Sequence, residues 1–204
     1  MIADRIRAAL LGAVLLLAAC VSAPPRPVVP LDPQARRALL QSLDAFSLSG
    51  RLAAAVGQDG FSANIDWTQR DARSVLDLRA PLGFGSAHVE RDGTHMNLET
   101  SRGEKLSGPD AAEGLAARLG FEPPMDRLRF WALGVADPSA PAVEAVDAQG
   151  LPASIEQEGW RIEFSEYRTA PASSADAQVP RRLTLTRGPV RLRLVVDRWT
   201  LGSK

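Results

Sequence analysis

From Phe46 onward the chain alternates apolar and polar residues in short runs. Phe46, Leu48, Gly50, Leu52 and Ala54 fall on one face of an extended segment, with Ser47, Ser49 and Arg51 on the other. Phe61, Ala63, Ile65 and Trp67 alternate with Ser62, Asn64, Asp66 and Thr68, and Leu76, Leu78 and Ala80 alternate with Asp77 and Arg79. The pattern continues through Ala87 and Val89, Met96 and Leu98, and a short piece about Lys105 and Leu106. It resumes at 154–157, then with Trp160, Ile162 and Phe164, Leu183 and Leu185, and Val190, Leu192, Leu194 and Val196. A period of two predicts strands with one buried face. Asp59-Gly60, Asp92-Gly93, Arg102-Gly103, Glu158-Gly159 and Arg187-Gly188-Pro189 supply turn chemistry between them. About ten strands joined by tight turns make an antiparallel meander.

Three stretches follow helical spacing instead. The first is 34–46, with Ala35, Leu39, Leu40 and Leu43 on the inward stripe, Arg36, Arg37 and Gln41 facing away, and Pro33 at a first-turn position. The second starts at Pro109-Asp110, carries Ala112, Leu115, Ala116 and Leu119, and stops at Gly120. The third, 125–133, puts Leu128, Trp131 and Ala132 on one side and ends at Gly134. A Pro- and Ala-rich link at 137–142 and a small, polar surface loop at 170–179 complete the reading. The class is mainly β with α. A single curved sheet must cover its apolar face. The two inserted helices each carry an apolar stripe and are the cover, leaving an oily space between lid and sheet.

The first thirty residues change the picture. Arg5 and Arg7 precede an uncharged apolar run at 8–19, too short to span a bilayer and typical of a secretory signal. Leu17-Ala18-Ala19-Cys20 resembles the bacterial lipobox, in which the cysteine thiol is acylated and becomes the new N-terminus; Cys20 is the sole cysteine. Several acyl chains hold a protein firmly at a membrane, each buried methylene contributing about 0.8 kcal/mol. Val21, where an aspartate would favour inner-membrane retention in the enterobacterial rule, leans towards the outer membrane. Five prolines between 21 and 33 favour an extended tether. The expected organisation is a signal peptide at 1–19, a lipidated Pro-rich tether at 20–33 and a single lipid-binding domain at 34–204.

Composition narrows the function. Basic and acidic residues balance at 24 each, so no global field draws the chain to nucleic acid. With one cysteine, an internal disulfide is not available. His88 and His95 lie near Glu90 and Asp92, but a metal site needs further ligands, and polar outward positions on a hairpin account for them. No serine sits in a nucleophile elbow, and Gly83-Phe84-Gly85 lacks the later glycine and the Lys-Ser/Thr step of a phosphate loop. Trp67, Trp131, Trp160 and Trp199 read most simply as core aromatics. We expect no enzyme, no cofactor, no metal and a monomer.

The order of these elements resembles the LolB family of outer-membrane lipoprotein receptors. The resemblance runs through Phe46-Ser47-Leu48-Ser49-Gly50-Arg51-Leu52, the strand ending at Trp67, and the Ala80-Pro81-Leu82-Gly83 turn. It continues through Gly108-Pro109-Asp110, Leu119-Gly120, the segment from Pro123 to Gly134 with Leu128, Trp131 and Leu133, and Asp197-Arg198-Trp199. It implies an unclosed antiparallel β-barrel, or half-barrel, under a helical lid. It also implies a receptor that accepts lipoproteins from the periplasmic carrier LolA and places them in the outer membrane. Partners would be LolA, the acyl chains of client lipoproteins and outer-membrane lipids. In the family the protruding turn bears an exposed leucine implicated in membrane insertion; Leu82 matches it, and Phe84 adds apolar area. Both could instead tuck into the core. Cavity candidates are Ile65, Trp67, Leu76, Leu78, Leu98 and Trp160 on the wall and Leu115, Leu119, Leu128 and Trp131 on the lid. An assembly or structural lipoprotein acting through a surface patch is the alternative, and a hydrolase would need a nucleophile or metal cluster.

Overall fold

The computed structural model describes residues 32–83, 85–170 and 177–202. Cys20, the segment 1–19, nearly all of the tether and Phe84 lie outside the described residues. Helix α1 spans Pro33–Gln41. Strands β1 (Ala45–Val56), β2 (Asp59–Arg70), β3 (Arg73–Arg79), β4 (Ser86–Asp92), β5 (His95–Thr100) and β6 (Lys105–Ser107) follow. Helices α2 (Pro109–Leu119) and α3 (Met125–Leu133) come next, then β7 (Val143–Val146), β8 (Pro152–Gln157), β9 (Trp160–Ala170), β10 (Ala177–Arg187) and β11 (Val190–Leu201).

All eleven strands form one antiparallel sheet in the order β6-β5-β4-β3-β2-β1-β11-β10-β9-β8-β7. Neighbours are consecutive in sequence except at the centre, where the first strand pairs with the last. The sheet ends at β6 and β7 and does not close, so it is a half-barrel, as expected from the resemblance. At the β1–β11 seam the register shifts between Ser49 and Gly50, leaving Asp197 as the extra residue of a bulge. A Cβ on Gly50 would collide with the Val195 carbonyl oxygen, so the bulge requires glycine there. The bulge also moves Trp199 and Leu201 onto the same buried face as Val190, Leu192, Leu194 and Val196.

The register gathers one set of turns at one end of the sheet, here the upper rim. The β1–β2, β5–β6, β8–β9 and β10–β11 turns lie there beside the loop between β3 and β4. The first of these turns is Gly57-Gln58, with Gly57 at φ 61°, while the expected turn residues Asp59-Gly60 open β2.

Several other expectations are corrected. The first helix stops at Gln41, where the Ser42 N–H bonds back to Ala38 O, and Phe46 belongs to the strand. Its inward stripe is Arg36 and Leu40, with Ala35 exposed. Arg36 is only 2 % exposed, not outward, because its guanidinium answers free carbonyls inside. Nε donates to Gln178 O at 2.7 Å, and Nη1 and Nη2 donate to Gly134 O and Leu133 O at 3.1 Å. Those last two carbonyls end α3, where a cation suits the helix terminus. The surface loop is shorter than 170–179, since Ala170, Ala177 and Val179 are buried in paired strands. An eleventh strand, β7, lies in sequence where no alternation was evident.

Candidate functional site

The concave face of the sheet and the two midway helices enclose a cavity of about 80 Å³. Its floor is Leu52 and Ala54 of β1, Ile65 and Trp67 of β2, Leu76 and Leu78 of β3, Val89 of β4, and Leu183, Leu185, Leu192 and Leu194 of the C-terminal hairpin. Its roof is Leu115 and Leu119 of α2, Phe121 and Pro123 of the link, and Met125, Leu128 and Ala132 of α3. Every lining side chain is apolar. A cavity of roughly 150 Å³ holds one benzene ring, so this one is too small for a long acyl chain.

Seven of the ten expected positions border this space: Ile65, Trp67, Leu76, Leu78, Leu115, Leu119 and Leu128. Leu98 instead lines an adjoining groove at the upper rim, with Leu78, Leu115 and Leu119. Trp131 of α3 and Trp160 of β9 pack against each other, with ring centroids 6.2 Å apart, and do not line the cavity. Trp131 is held there because its Nε1 donates to Gln157 Oε1 at 2.8 Å. The buried Gln157 also receives the Asp137 N–H and donates to Asp137 O and Ala140 O. The sequence reading missed the C-terminal wall, although Leu183, Leu185, Leu192 and Leu194 alternate as clearly as the N-terminal wall. What was not visible was their partner: the β1–β11 pairing brings that hairpin beside the first strand.

Polar ties hold the two lid helices unequally. Besides Arg36 and Gln157, α3 is fastened by Arg91–Asp126 at 2.5 Å and by Arg129 Nη1 donating to Asp71 O at 3.0 Å. Burial lowers the Arg36 pKa, with a part of the effect offset by Tyr167 and Glu144, and a guanidinium starts high enough to remain charged. Tyr167, beneath the Arg36 guanidinium, has its pKa raised by burial against the opposing pull of that cation, and its hydroxyl donates to Pro152 O at 2.6 Å. α2 is held by packing on β5 and β6, by the Gly108 N–H to Met96 O, and by the Arg118–Glu104 ion pair.

Leu82 stands apart from the cavity at the tip of the loop joining β3 and β4. Its side chain is 92 % exposed and its backbone is left-handed, φ 56° and ψ 20°. The loop is closed beneath it by the Ala80 N–H to Gly85 O at 2.9 Å. A left-handed conformation is rare for a branched apolar residue, and such strain persists where surrounding structure imposes it, commonly at functional positions. The two histidines are unremarkable: His88 Nδ1 meets Asp77 Oδ1 at 2.8 Å on the outer face, and His95 is exposed. Among the described residues no group of three or more His, Cys, Asp or Glu could hold a metal.

Comparison with known proteins agrees over most of the length. A sequence model of the family described as "Outer membrane lipoprotein LolB" matches residues 44–199. The outer-membrane lipoprotein LolB of Xanthomonas campestris pv. campestris (strain B100) is 37 % identical over 172 residues, covering 82 % of this chain and 78 % of that protein. The LolB of Alkalilimnicola ehrlichii is 34 % identical over 196 residues, covering 93 % and 94 %. Among solved structures, a LolA superfamily protein from Nitrosomonas europaea superposes with a TM-score of 0.51 at 9 % identity, covering 85 % of this chain and 95 % of that one. That likeness concerns the fold alone.

Proposed function

Since this chain belongs to the LolB family of outer-membrane lipoproteins, we propose that it works as their receptor, taking lipoproteins from the periplasmic carrier LolA and passing them into the outer membrane. The observation that carries this reading is the all-apolar cavity between the sheet and α2 and α3. Lipoprotein acyl chains cannot cross water bare, since each exposed methylene costs about 0.8 kcal/mol. A closed apolar cavity that opens to accept chains covers them during the passage. Direction needs no covalent chemistry and no cofactor. A receptor that binds the chains more tightly than the carrier sets it by differential affinity.

Three further residues have roles in this reading. Cys20 carries the lipid that keeps the receptor at its membrane, with the tether giving reach. Leu82 enters the acyl region of the bilayer, where its exposed side chain is buried and released chains can follow, and we assign Phe84, two residues on in the sequence, to the same step. The exposure of Leu82 supports this, because an isolated apolar tip is unfavourable in water and favourable among lipids.

The test uses purified LolA loaded with a fluorescent lipoprotein, mixed with the receptor bearing Cys20→Ala, and then with liposomes. The anchor-free receptor should accept the cargo, and adding Leu82→Glu should leave acceptance intact while delivery to liposomes drops at least tenfold. Absence of any transfer from the carrier would remove the receptor role, and normal delivery by the Leu82→Glu protein would remove the insertion role.

A further inference from the structure

The apolar cavity offers nothing to the polar root of a lipidated cysteine, where the ester and amide carbonyls of its acyl chains converge. A second hollow of about 320 Å³ at the upper rim adjoins that cavity, sharing Leu78, Leu115 and Leu119 with it. It lies between the base of the Leu82 loop and the end of α2, and its far side is polar: Thr100, Ser101 and Arg102, with the Glu104 carboxylate neutralised by Arg118 beside them. Thr100 continues the inward row of Met96 and Leu98 on β5, so the strand's apolar face ends in a hydroxyl at the mouth. That hydroxyl, Thr100 Oγ1, is buried and has no hydrogen-bond partner. A buried polar atom left unpaired is destabilising, and an acceptor supplied by a ligand relieves it.

Arg102 is exposed and has no side-chain partner among the described residues, whereas its neighbour Arg118 is engaged by Glu104 and by Gly114 O. The turn that carries Arg102 is fixed to the Leu82 loop. Ser86 N–H donates to Ser101 Oγ, and Ser101 N–H donates to Ser86 O, both at 3.0 Å. One free cation and one unpaired hydroxyl thus flank the place where an acyl chain would pass from the rim into the cavity.

We propose that this groove seats the carbonyl-bearing head of the client's lipidated cysteine, with Thr100 Oγ1 and the Arg102 guanidinium donating to its ester and amide oxygens. The inference rests on the receptor reading above and adds the subsite that orients the cargo. With the head held at the rim, the chains run inward and the client polypeptide stays outside. The carbonyls then lie beside the Leu82 tip, at the point of release.

The test compares a synthetic tripalmitoylated cysteine peptide with N-phenyl-1-naphthylamine, an apolar probe without such a head, and with diheptanoyl phosphatidylglycerol. The readout is the ratio of peptide affinity to probe affinity. The Thr100→Val/Arg102→Gln protein should lower that ratio about tenfold, two modest hydrogen bonds' worth, and Thr100→Ser alone should preserve it. An unchanged ratio overturns the proposal. So does a loss seen with the phosphatidylglycerol and not with the peptide, which would assign the groove to membrane lipids. A wild-type protein that binds the probe but not the peptide would instead defeat the receptor reading, and the head site with it.

Discussion

Leu82 bears two unfavourable features at once: it is nearly wholly exposed and its backbone is left-handed. If the side chain is retained for the membrane, removing it should cost the fold nothing. Leu82→Gly relieves the left-handed strain, worth about 1 kcal/mol or more, while loosening the unfolded chain by a comparable amount. Urea unfolding should therefore show stability unchanged or up to about 1 kcal/mol higher, while liposome delivery falls as for Leu82→Glu. A clear loss of stability would mean that Leu82 packs against its own protein. Arg36 is the opposite kind of residue, buried and fully engaged. Arg36→Met removes three hydrogen bonds, two of them to the buried carbonyls that end α3, so unfolding should become easier by about 3 kcal/mol. Arg36→Lys should recover less than half of that, because an ammonium cannot reach three acceptors in the guanidinium's planar fork.

At the level of elements, the strands were readable because alternation survives wherever one face is buried, as in β2 and β9. The lid helices were readable to the residue, since Pro109, Gly120 and Gly134 mark their ends and both glycines adopt left-handed caps. Three features were not readable, each for a physical reason. The inward face of α1 was misread because a periodicity argument places arginine outside, and Arg36 is inside only through carbonyls supplied by α3 and β10. The edge strand β7 is four residues with Val143 and Val146 exposed, so no buried face imprints a pattern. The pairing of β1 with β11 is long-range, and alternation does not name its partner. That pairing depends on Gly50. Gly50→Ala forces a methyl into the Val195 carbonyl at the centre of the sheet, where backbone cannot yield cheaply. It should lower stability by about 3 kcal/mol or prevent folding, measured by thermal or urea unfolding. A variant that keeps wild-type stability would show that the seam tolerates re-registration.

For the molecule as a whole, the 80 Å³ cavity sets a requirement: a half-barrel that stores an acyl chain must first part from its lid. The two lid helices are not equally free to do so. α3 is pinned by Arg36 at its C-terminal carbonyls, by Gln157 behind Trp131 and by Arg129 and Asp126 at the sheet. α2 is bounded at both ends by glycines with positive φ, Gly108 and Gly120, and its side-chain ties are apolar contacts with β5 and β6 plus the half-exposed Arg118–Glu104 pair. Apolar contacts can be exchanged for contacts with an incoming chain at little cost, whereas buried hydrogen bonds cannot be given up without replacement. Loading should therefore lift α2 and leave α3 seated. Hydrogen exchange with and without the tripalmitoylated peptide reads this directly: amides of α2 should exchange faster in the loaded protein, and those in the last turn of α3 should keep their protection. Faster exchange in α3 with α2 unchanged would place the hinge at the other helix. Uniform protection of both would mean that chains enter a lid that never opens, and the rim groove beside Leu98 would have to hold them alone.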